Sequence, residues 1–263
     1  MKLEILSEPP EQPARQTPLL FIHGAYVAAW CWAENFLPYF ARRGYAAHAV
    51  SLRGHGASEG REDLYLHSLG DYVRDVRRVV DSLDREPVLV GHSMGGMVVQ
   101  RYLERYTAPG AVLMSSVPPT GLLGPGLSLA QGDPALFHEM GVLQYGNPRA
   151  ASLDGLRRAL FSPRTPDHIV LKALRMGQRE SYRAIFDMTW PQLRLNGRHR
   201  LPPVLVLGGE EDAFFGPDAL RATAGHFGVE PEIFPHMAHA LMLEPGWEAV
   251  ADRILAWLAR HGL

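Results

Sequence analysis

The sequence of 263 residues lacks several features that would define its class at once. Cysteine occurs once, at Cys31, so the chain forms no internal disulfide and offers no cysteine cluster for zinc. No apolar run approaches the roughly 18 residues of a membrane-spanning helix. Residues 1–10 contain no apolar run long enough for a signal peptide, so we expect a cytoplasmic protein.

Positive charge is also not in excess. Lysine occurs only at Lys2 and Lys172, and 26 basic residues face 28 acidic ones, which gives a net charge of −2. Since no basic field is present, we expect no nucleic-acid partner, and no motif indicates a metal or cofactor. Hydrophobic residues make up 46% of the chain, enough to bury the core of one large domain.

Short, continuous apolar runs alternate with stretches of helical periodicity. Such runs are typical of strands in a parallel sheet that helices cover on both faces. The strand candidates are Pro18–His23, Tyr45–Leu52, Pro87–Val90, Ala111–Ser115, Pro203–Leu207 and Pro231–Phe234. The helix candidates are Leu69–Leu83, Met97–Tyr106 and Trp247–Leu258. We therefore predict an α/β fold with a mostly parallel, doubly covered sheet.

Residues 118–200 interrupt this alternation, because they contain no buried-strand run. We predict an all-helical cap over residues 118–200, inserted into an α/β core formed by residues 1–117 and 201–263. Its opening, Pro118–Gly126, is rich in proline and glycine, and we expect this run to be non-helical and flexible. The predicted cap helices are Pro134–Met140, Ala150–Leu160, Pro166–Met176 and Glu180–Met188.

The predicted cap is rich in large apolar side chains. They either hold the cap on the core or line a ligand pocket, and the sequence alone does not separate the two roles. They are Leu122, Leu123, Leu127, Leu129, Leu136, Phe137, Met140, Leu143, Phe161, Met176, Ile185, Phe186, Met188 and Trp190.

A serine lies between a predicted strand and a predicted helix, in the segment Gly91–Gly95 (GHSMG). A nucleophile on such a sharp turn needs small residues two before and two after it, because the backbone there is strained. The turn lifts the Ser93 hydroxyl above the sheet edge, and the helix N-terminus favours negative charge beside it. The alternative is a small-residue turn that merely packs a helix on a strand.

A serine nucleophile needs a general base at neutral pH. His239 follows the last predicted strand, and His236 is its nearest competitor. The acid is expected at the end of the preceding strand, because α/β sheets place their sites at the carboxyl ends of their strands. Glu210, Glu211 and Asp212 are the candidates there, unless they form only a solvated acidic turn.

Several segments, in this order along the chain, resemble the motifs of α/β-hydrolases, and the chain is identified as a member of that family on this basis. They are His23–Ala25 (oxyanion loop), Arg53–Ser58 (RGHGxS), Gly91–Gly96 (GHSMGG), Gly209–Asp212 (GxxD) and His239–Pro245 (HALMLEP, similar to the family's GHxxxxExP). Ala238 stands where the last motif usually has glycine. The order serine, acid, histidine is also that of this family.

The resemblance implies a role for each residue that carries chemistry. Ser93 is the expected nucleophile, His239 the general base, and Asp212 the acid that orients the imidazole. The backbone N–H groups of Ala25 and Met94 are expected to form the oxyanion hole.

Other residues are expected to be structural or uninvolved. His23 is expected to shape the loop that aims the Ala25 amide. The residues expected to brace the turn after the second strand are Arg53, His55 and Ser58. The residues not selected by the motifs are His236, Glu210 and Glu211.

The expected activity is hydrolysis of small to medium lipophilic carboxylic esters through an acyl-enzyme. Alternatives on the same residues are a thioesterase, a carbon–carbon bond hydrolase, a cofactor-free perhydrolase and a non-catalytic ligand-binding relative. The segment Gly24–Trp32 also resembles the loop of plant-type hydroxynitrile lyases and methylesterases. Those lyases have a lysine directly after the catalytic histidine, whereas this chain has Ala240, so lyase chemistry is not expected.

Overall fold

The computed structural model describes residues 1–11, 15–145, 152–191 and 201–263. Over these ranges a seven-stranded sheet has the order β1-β3-β2-β4-β5-β6-β7. The strands are β1 (Glu4–Glu8), β2 (Leu19–Ile22), β3 (Ala47–Ser51), β4 (Val88–His92), β5 (Ala111–Met114), β6 (Val204–Gly209) and β7 (Pro231–Phe234). Only the β1–β3 pair is antiparallel, so the prediction of a mostly parallel sheet is confirmed.

Helices cover both faces of this sheet. Those of the core are α1 (Trp30–Ala33), α2 (Phe36–Ala41), α3 (Leu69–Ser82), α4 (Met94–Leu103), α10 (Pro217–Phe227) and α11 (Trp247–Arg260). Those between β5 and β6 are α5 (Leu123–Gly132), α6 (Pro134–Tyr145), α7 (Leu153–Leu160), α8 (Asp167–Met176) and α9 (Tyr182–Thr189). We refer to residues 118–200 as the insertion; its described residues contain helices and no strand.

The alternation of side chains along β2 explains why its sequence is apolar throughout. Leu19 and Phe21 belong to the hydrophobic cluster on one face of the sheet, which also includes side chains of α2 and α11. Leu20 and Ile22 belong to the cluster on the opposite face, with side chains of α3 and α4. Because both faces are buried, every position of the strand must be apolar.

The opening of the insertion corrects one prediction. We expected Pro118–Gly126 to be non-helical, but α5 begins at Leu123 and runs through Pro125 and Gly126. Proline is tolerated in the first turn of a helix, since the N–H it lacks has no intrahelical acceptor there. The sequence pattern hid this helix because none of its residues is buried.

Helix and strand bounds differ from the prediction in other places as well. Helix α4 begins at Met94, three residues before the predicted start, because the helix follows the Ser93 turn directly. The N-terminal end of the predicted helix Ala150–Leu160 lies outside the described residues, and so does the side chain of Leu143. In the described ranges, no helix is both long and apolar enough to cross a membrane.

Candidate active site

Ser93 lies at the sharp turn between β4 and α4. Its backbone has φ 52° and ψ −117°, a conformation that residues with a Cβ rarely adopt. A Cβ on Gly91 would lie 2.4 Å from the Gly95 carbonyl oxygen, and one on Gly95 would lie 2.3 Å from the Ile22 carbonyl oxygen. The two glycines of the motif are therefore required by close backbone contacts, as the sequence predicted.

His239 and Asp212 lie together in the loops that follow β7 and β6. The His239 Nδ1 is 2.9 Å from Asp212 Oδ2 and 3.1 Å from Oδ1, and both side chains are buried. Because a carboxylate only accepts, Nδ1 carries the proton and donates it. This tautomer leaves Nε2 with the lone pair that a general base needs.

The protonation state of Asp212 follows from its surroundings. Burial alone would raise the pKa of this carboxyl, but the charge and hydrogen bond of His239 and two backbone N–H donors lower it. Those donors are Phe214 and Phe215, at 2.9 and 3.0 Å from Oδ1. Asp212 is therefore a fixed anion beside the imidazole.

The competitors of these two residues lie at the surface. The His236 side chain is 54% exposed, and its Nδ1 lies 3.6 Å from Glu211 Oε1 and 4.0 Å from Glu210 Oε2. Its backbone N–H donates to Glu210 at 3.1 Å. The three carboxylates of this turn therefore have different surroundings. Those of Glu210 and Glu211 face solvent and His236, whereas that of Asp212 faces His239.

The two N–H groups expected to form the oxyanion hole belong to residues that border the same cavity as Ser93 and His239. Within the described residues, neither the Ala25 nor the Met94 N–H donates a hydrogen bond. This leaves both donors available to a bound oxygen.

His23 controls the direction of one of these donors. Its Nδ1 donates to the Gly24 carbonyl oxygen at 2.7 Å, and its Nε2 accepts from the Leu52 N–H at 3.0 Å. The Gly24 carbonyl and the Ala25 N–H share one planar peptide and point in opposite directions. Burial and the neighbouring His55 lower the pKa of His23 to about 3, so the ring stays neutral and keeps this tautomer.

Two further residues hold the His239 loop. His92 Nε2 donates to the His239 carbonyl oxygen at 2.9 Å, and burial and the nearby His239 lower the pKa of His92 to about 3. Glu244 Oε1 accepts from the Ala238 N–H at 2.9 Å and from the Ser162 N–H at 2.8 Å. Glu244 is fully buried, and it ties the loop before His239 to the insertion.

Glu244 lies in the segment His239–Pro245 (HALMLEP), and the two hydrogen bonds that it accepts predict the effect of its removal. Glu244→Ala leaves two buried N–H groups without an acceptor, so we expect the free energy of unfolding to fall by about 2–4 kcal/mol. Glu244→Gln keeps an acceptor oxygen and should stay within about 1 kcal/mol of the wild type. Urea unfolding measures both. Equal losses in the two variants would mean that the charge, not the hydrogen bonds, stabilises this loop.

The RGHGxS turn is held as a structural element. Arg53 forms ion pairs of 2.7 Å with Asp75 and Asp71 of α3. The Ser58 hydroxyl donates to the Ser51 carbonyl at 2.6 Å and accepts from the Glu4 N–H at 2.8 Å. These contacts fit the bracing role expected of Arg53 and Ser58.

His55 has a partner that the sequence did not indicate. Its Nε2 lies 2.9 Å from Oε2 of Glu180, a residue of the insertion, and both side chains are completely buried. Glu180 also accepts from the Tyr26 N–H at 3.4 Å. Glu180 is 125 positions from His55 and 154 positions from Tyr26 along the chain. No sequence motif relates residues at such separations, so neither contact could be predicted from the sequence.

Ser93 and His239 border a cavity of about 1030 Å³ between the core loops and the insertion. Its walls are mostly apolar. Of the apolar residues expected in the cap, those that line it are Leu122, Leu123, Leu127, Leu129, Phe137, Met140, Phe161, Ile185 and Met188. Phe186 and Trp190 are 57% and 50% exposed and do not border it, nor do Leu136 and Met176.

A sequence model of the alpha/beta hydrolase family matches residues 19–253, which is most of the chain. The chain belongs to the alpha/beta hydrolase family. The family match spans the Ser93 turn, Asp212 and His239, and the fold described above agrees with it.

Individual relatives of this alpha/beta hydrolase carry different names. It is 38% identical over 112 residues to a non-heme chloroperoxidase of Streptomyces lividans, covering 41% of this chain and 39% of that protein. It is 24% identical over 267 residues to a monoacylglycerol lipase of Mycolicibacterium smegmatis, covering 90% and 89%. A thermophilic esterase from Thermogutta terrifontis has a similar fold, with a TM-score of 0.75, 19% identity, and coverage of 99% and 94%. The match to the chloroperoxidase thus spans about two fifths of either chain.

Proposed function

We propose that this alpha/beta hydrolase is a serine hydrolase that cleaves carboxylic esters of small to medium lipophilic molecules. The observation that carries the proposal is the placement of the Asp212–His239 pair and the strained Ser93 turn at one apolar cavity. A relative named as a monoacylglycerol lipase, matched over nearly its whole length, supports an ester as the substrate.

In this proposal Ser93 Oγ attacks the ester carbonyl carbon while His239 Nε2 takes its proton. The Asp212 carboxylate stabilises the imidazolium that forms, and the Ala25 and Met94 N–H groups donate to the developing oxyanion. His239 then returns the proton to the leaving alcohol. Water, deprotonated by the same histidine, attacks the acyl group on Ser93. His239 then returns the proton to Ser93 Oγ as the carboxylic acid leaves.

The experiment that tests this proposal combines labelling with turnover. A fluorophosphonate is expected to add one equivalent to Ser93, which mass spectrometry of the intact protein and of its peptides detects. A panel of p-nitrophenyl esters from C2 to C16, assayed beside thioester and β-diketone substrates, measures the bond type. Faster cleavage of a thioester or a β-diketone than of every ester would overturn the ester assignment.

A second candidate is perhydrolysis on the same residues, which the relative named as a non-heme chloroperoxidase favours. Hydrogen peroxide in place of water would attack the acyl group on Ser93 and release a peracid and the free serine. Adding peroxide to the esterase assay and measuring peracid formation separates the two acyl acceptors.

We also propose that residues 118–200 act as a cap whose apolar walls select the substrate. Phe137 and Phe161 border the cavity, whereas Phe186 and Trp190 lie on the outside of the same insertion. The two pairs therefore form a matched set of large aromatic side chains that differ in their access to the ligand.

Truncating the cavity pair tests this cap. Phe137→Ala and Phe161→Ala are expected to shift kcat/KM between short and long esters by about 1–3 kcal/mol each. Phe186→Ala and Trp190→Ala should leave the chain-length profile unchanged. Melting curves recorded with the ester panel separate selectivity from stability. An unaltered profile in both cavity variants would show that these rings only hold the insertion together.

A further inference from the structure

Glu180 is a charged side chain of the insertion that is completely buried in the core. It precedes α9, and its carboxylate meets groups from three separate parts of the fold. Oε1 accepts from the Tyr72 hydroxyl and from the Ser181 N–H, both at 2.7 Å. Oε2 accepts from His55 Nε2 at 2.9 Å and from the Tyr26 N–H at 3.4 Å. A buried carboxylate is costly unless its oxygens are satisfied in this way.

Tyr26 directly follows Ala25 and is held by the insertion at three points. Its N–H donates to Glu180, its carbonyl accepts from the Gln178 N–H at 2.9 Å, and its hydroxyl donates to Gln144. Its φ is 65°, which a residue with a Cβ adopts only when its surroundings impose it. The insertion thus fixes the residue after the proposed oxyanion donor, while His23 fixes the peptide before it.

We propose that Glu180 is a positioning residue for the oxyanion hole: by holding Tyr26 and His55, it sets the direction of the Ala25 N–H. The proposal rests on the proposed function, because it assigns the insertion a part in the chemistry of that site. In this proposal the insertion both lines the substrate cavity and positions the oxyanion donor. Without it, the Ala25 peptide would be held from one side only.

The proton on His55 completes the arrangement. Its Nδ1 lies 2.9 Å from the Arg53 carbonyl oxygen and its Nε2 2.9 Å from Glu180. Both partners only accept, so both ring nitrogens are donors and the ring is an imidazolium. The ring centroids of His23 and Tyr72 lie 5.0 and 5.8 Å from that of His55. Both neighbouring rings are uncharged, so neither balances the charge of Glu180 in place of the imidazolium.

The pH dependence follows from these charges. Burial and the nearby Arg61 lower the pKa of His55, but the charge and hydrogen bond of Glu180 outweigh them and raise it above its ordinary value. A raised histidine pKa means that the arrangement is complete below about pH 6.5 and is lost as the pH rises through the higher, folded value. The wild type should therefore lose kcat as the pH rises through the raised pKa of His55, and this loss should begin at lower pH in Glu180→Gln.

Glu180→Gln is the first test. We expect kcat for p-nitrophenyl acetate to fall by about 10- to 100-fold while KM changes by less than about threefold, because the oxyanion forms only in the transition state. The rate of Ser93 labelling by a fluorophosphonate should fall in proportion. The matched control is Glu34→Gln, which breaks an exposed ion pair between Lys172 of the insertion and the core. It should stay within about twofold of the wild type.

A folded Glu180→Gln with the kcat, labelling rate and pH profile of the control would overturn the proposal. If Glu180→Gln fails to fold, Tyr72→Phe provides the second test of the proposal. It removes one hydrogen bond to the Glu180 carboxylate and keeps the aromatic ring. That variant should lower kcat severalfold at unchanged KM, and an unchanged kcat would count against the proposal. Absence of Ser93 labelling in the wild type would instead show that the proposed function itself is wrong.

Discussion

Replacing Ser93 with alanine is expected to lower kcat for p-nitrophenyl esters by about 10⁴- to 10⁶-fold. The variant keeps the cavity and the two N–H donors, but it has no atom that can form the acyl-enzyme. KM should change little, because the hydroxyl contributes to the transition state more than to substrate binding. Steady-state kinetics with a fluorogenic ester provides the sensitivity that this range requires.

The control for this variant is Ser116→Ala. Ser116 is buried beside the same turn, where its hydroxyl accepts from Gln100 at 2.9 Å, and it does not border the cavity. It should keep most of the activity. Fluorophosphonate labelling that persists in Ser93→Ala would remove Ser93 as the nucleophile, whatever the kinetics show.

Loss of the base and loss of the acid are expected to have the next largest effects. His239→Ala should lower kcat by several orders of magnitude. Asp212→Asn should lower it by about 10⁴-fold, because an amide favours the tautomer that leaves Nε2 protonated. Both effects are measured as kcat/KM across pH, on protein whose folding is verified by circular dichroism.

The surface competitors are the matched controls for this pair. His236→Ala, Glu210→Gln and Glu211→Gln should each stay close to the wild type, since these side chains pair with one another and do not face His239. A larger loss in Glu211→Gln than in Asp212→Asn would overturn the assignment of the acid. Equal losses in the two histidine variants would mean that His236 also takes part.

The fold and the Ser93 turn could be predicted because their signals are local. A strand buried on both faces must be apolar at each position, and a nucleophile on a sharp turn must have small neighbours two residues away. The acid and base that accompany Ser93 were harder to predict, because three acidic residues and two histidines follow suitable strand ends. The motif spacing selected Asp212 and His239, the pair that shares a hydrogen bond in the structure.

Other features could not be predicted from such patterns. Strand β1 lies at the sheet edge with mostly exposed and partly buried residues, so it lacks the apolar run by which the other strands were found. Helix α5 has no buried residue and contains proline and glycine, so its composition indicated a loop. The contact of Glu180 with His55 depends on how the insertion packs on the core, and nothing in either segment alone encodes that packing.

The backbone of Ser93 has a consequence for how this sequence is maintained. Glycine, which has no Cβ, adopts φ 52° and ψ −117° without strain, whereas serine raises the energy of the folded state there by about 1–3 kcal/mol. That is a large part of a net stability of about 5–15 kcal/mol. Selection for folding alone would therefore drive this position towards glycine. In the function that we propose, this cost is offset by the chemistry that the Ser93 hydroxyl provides.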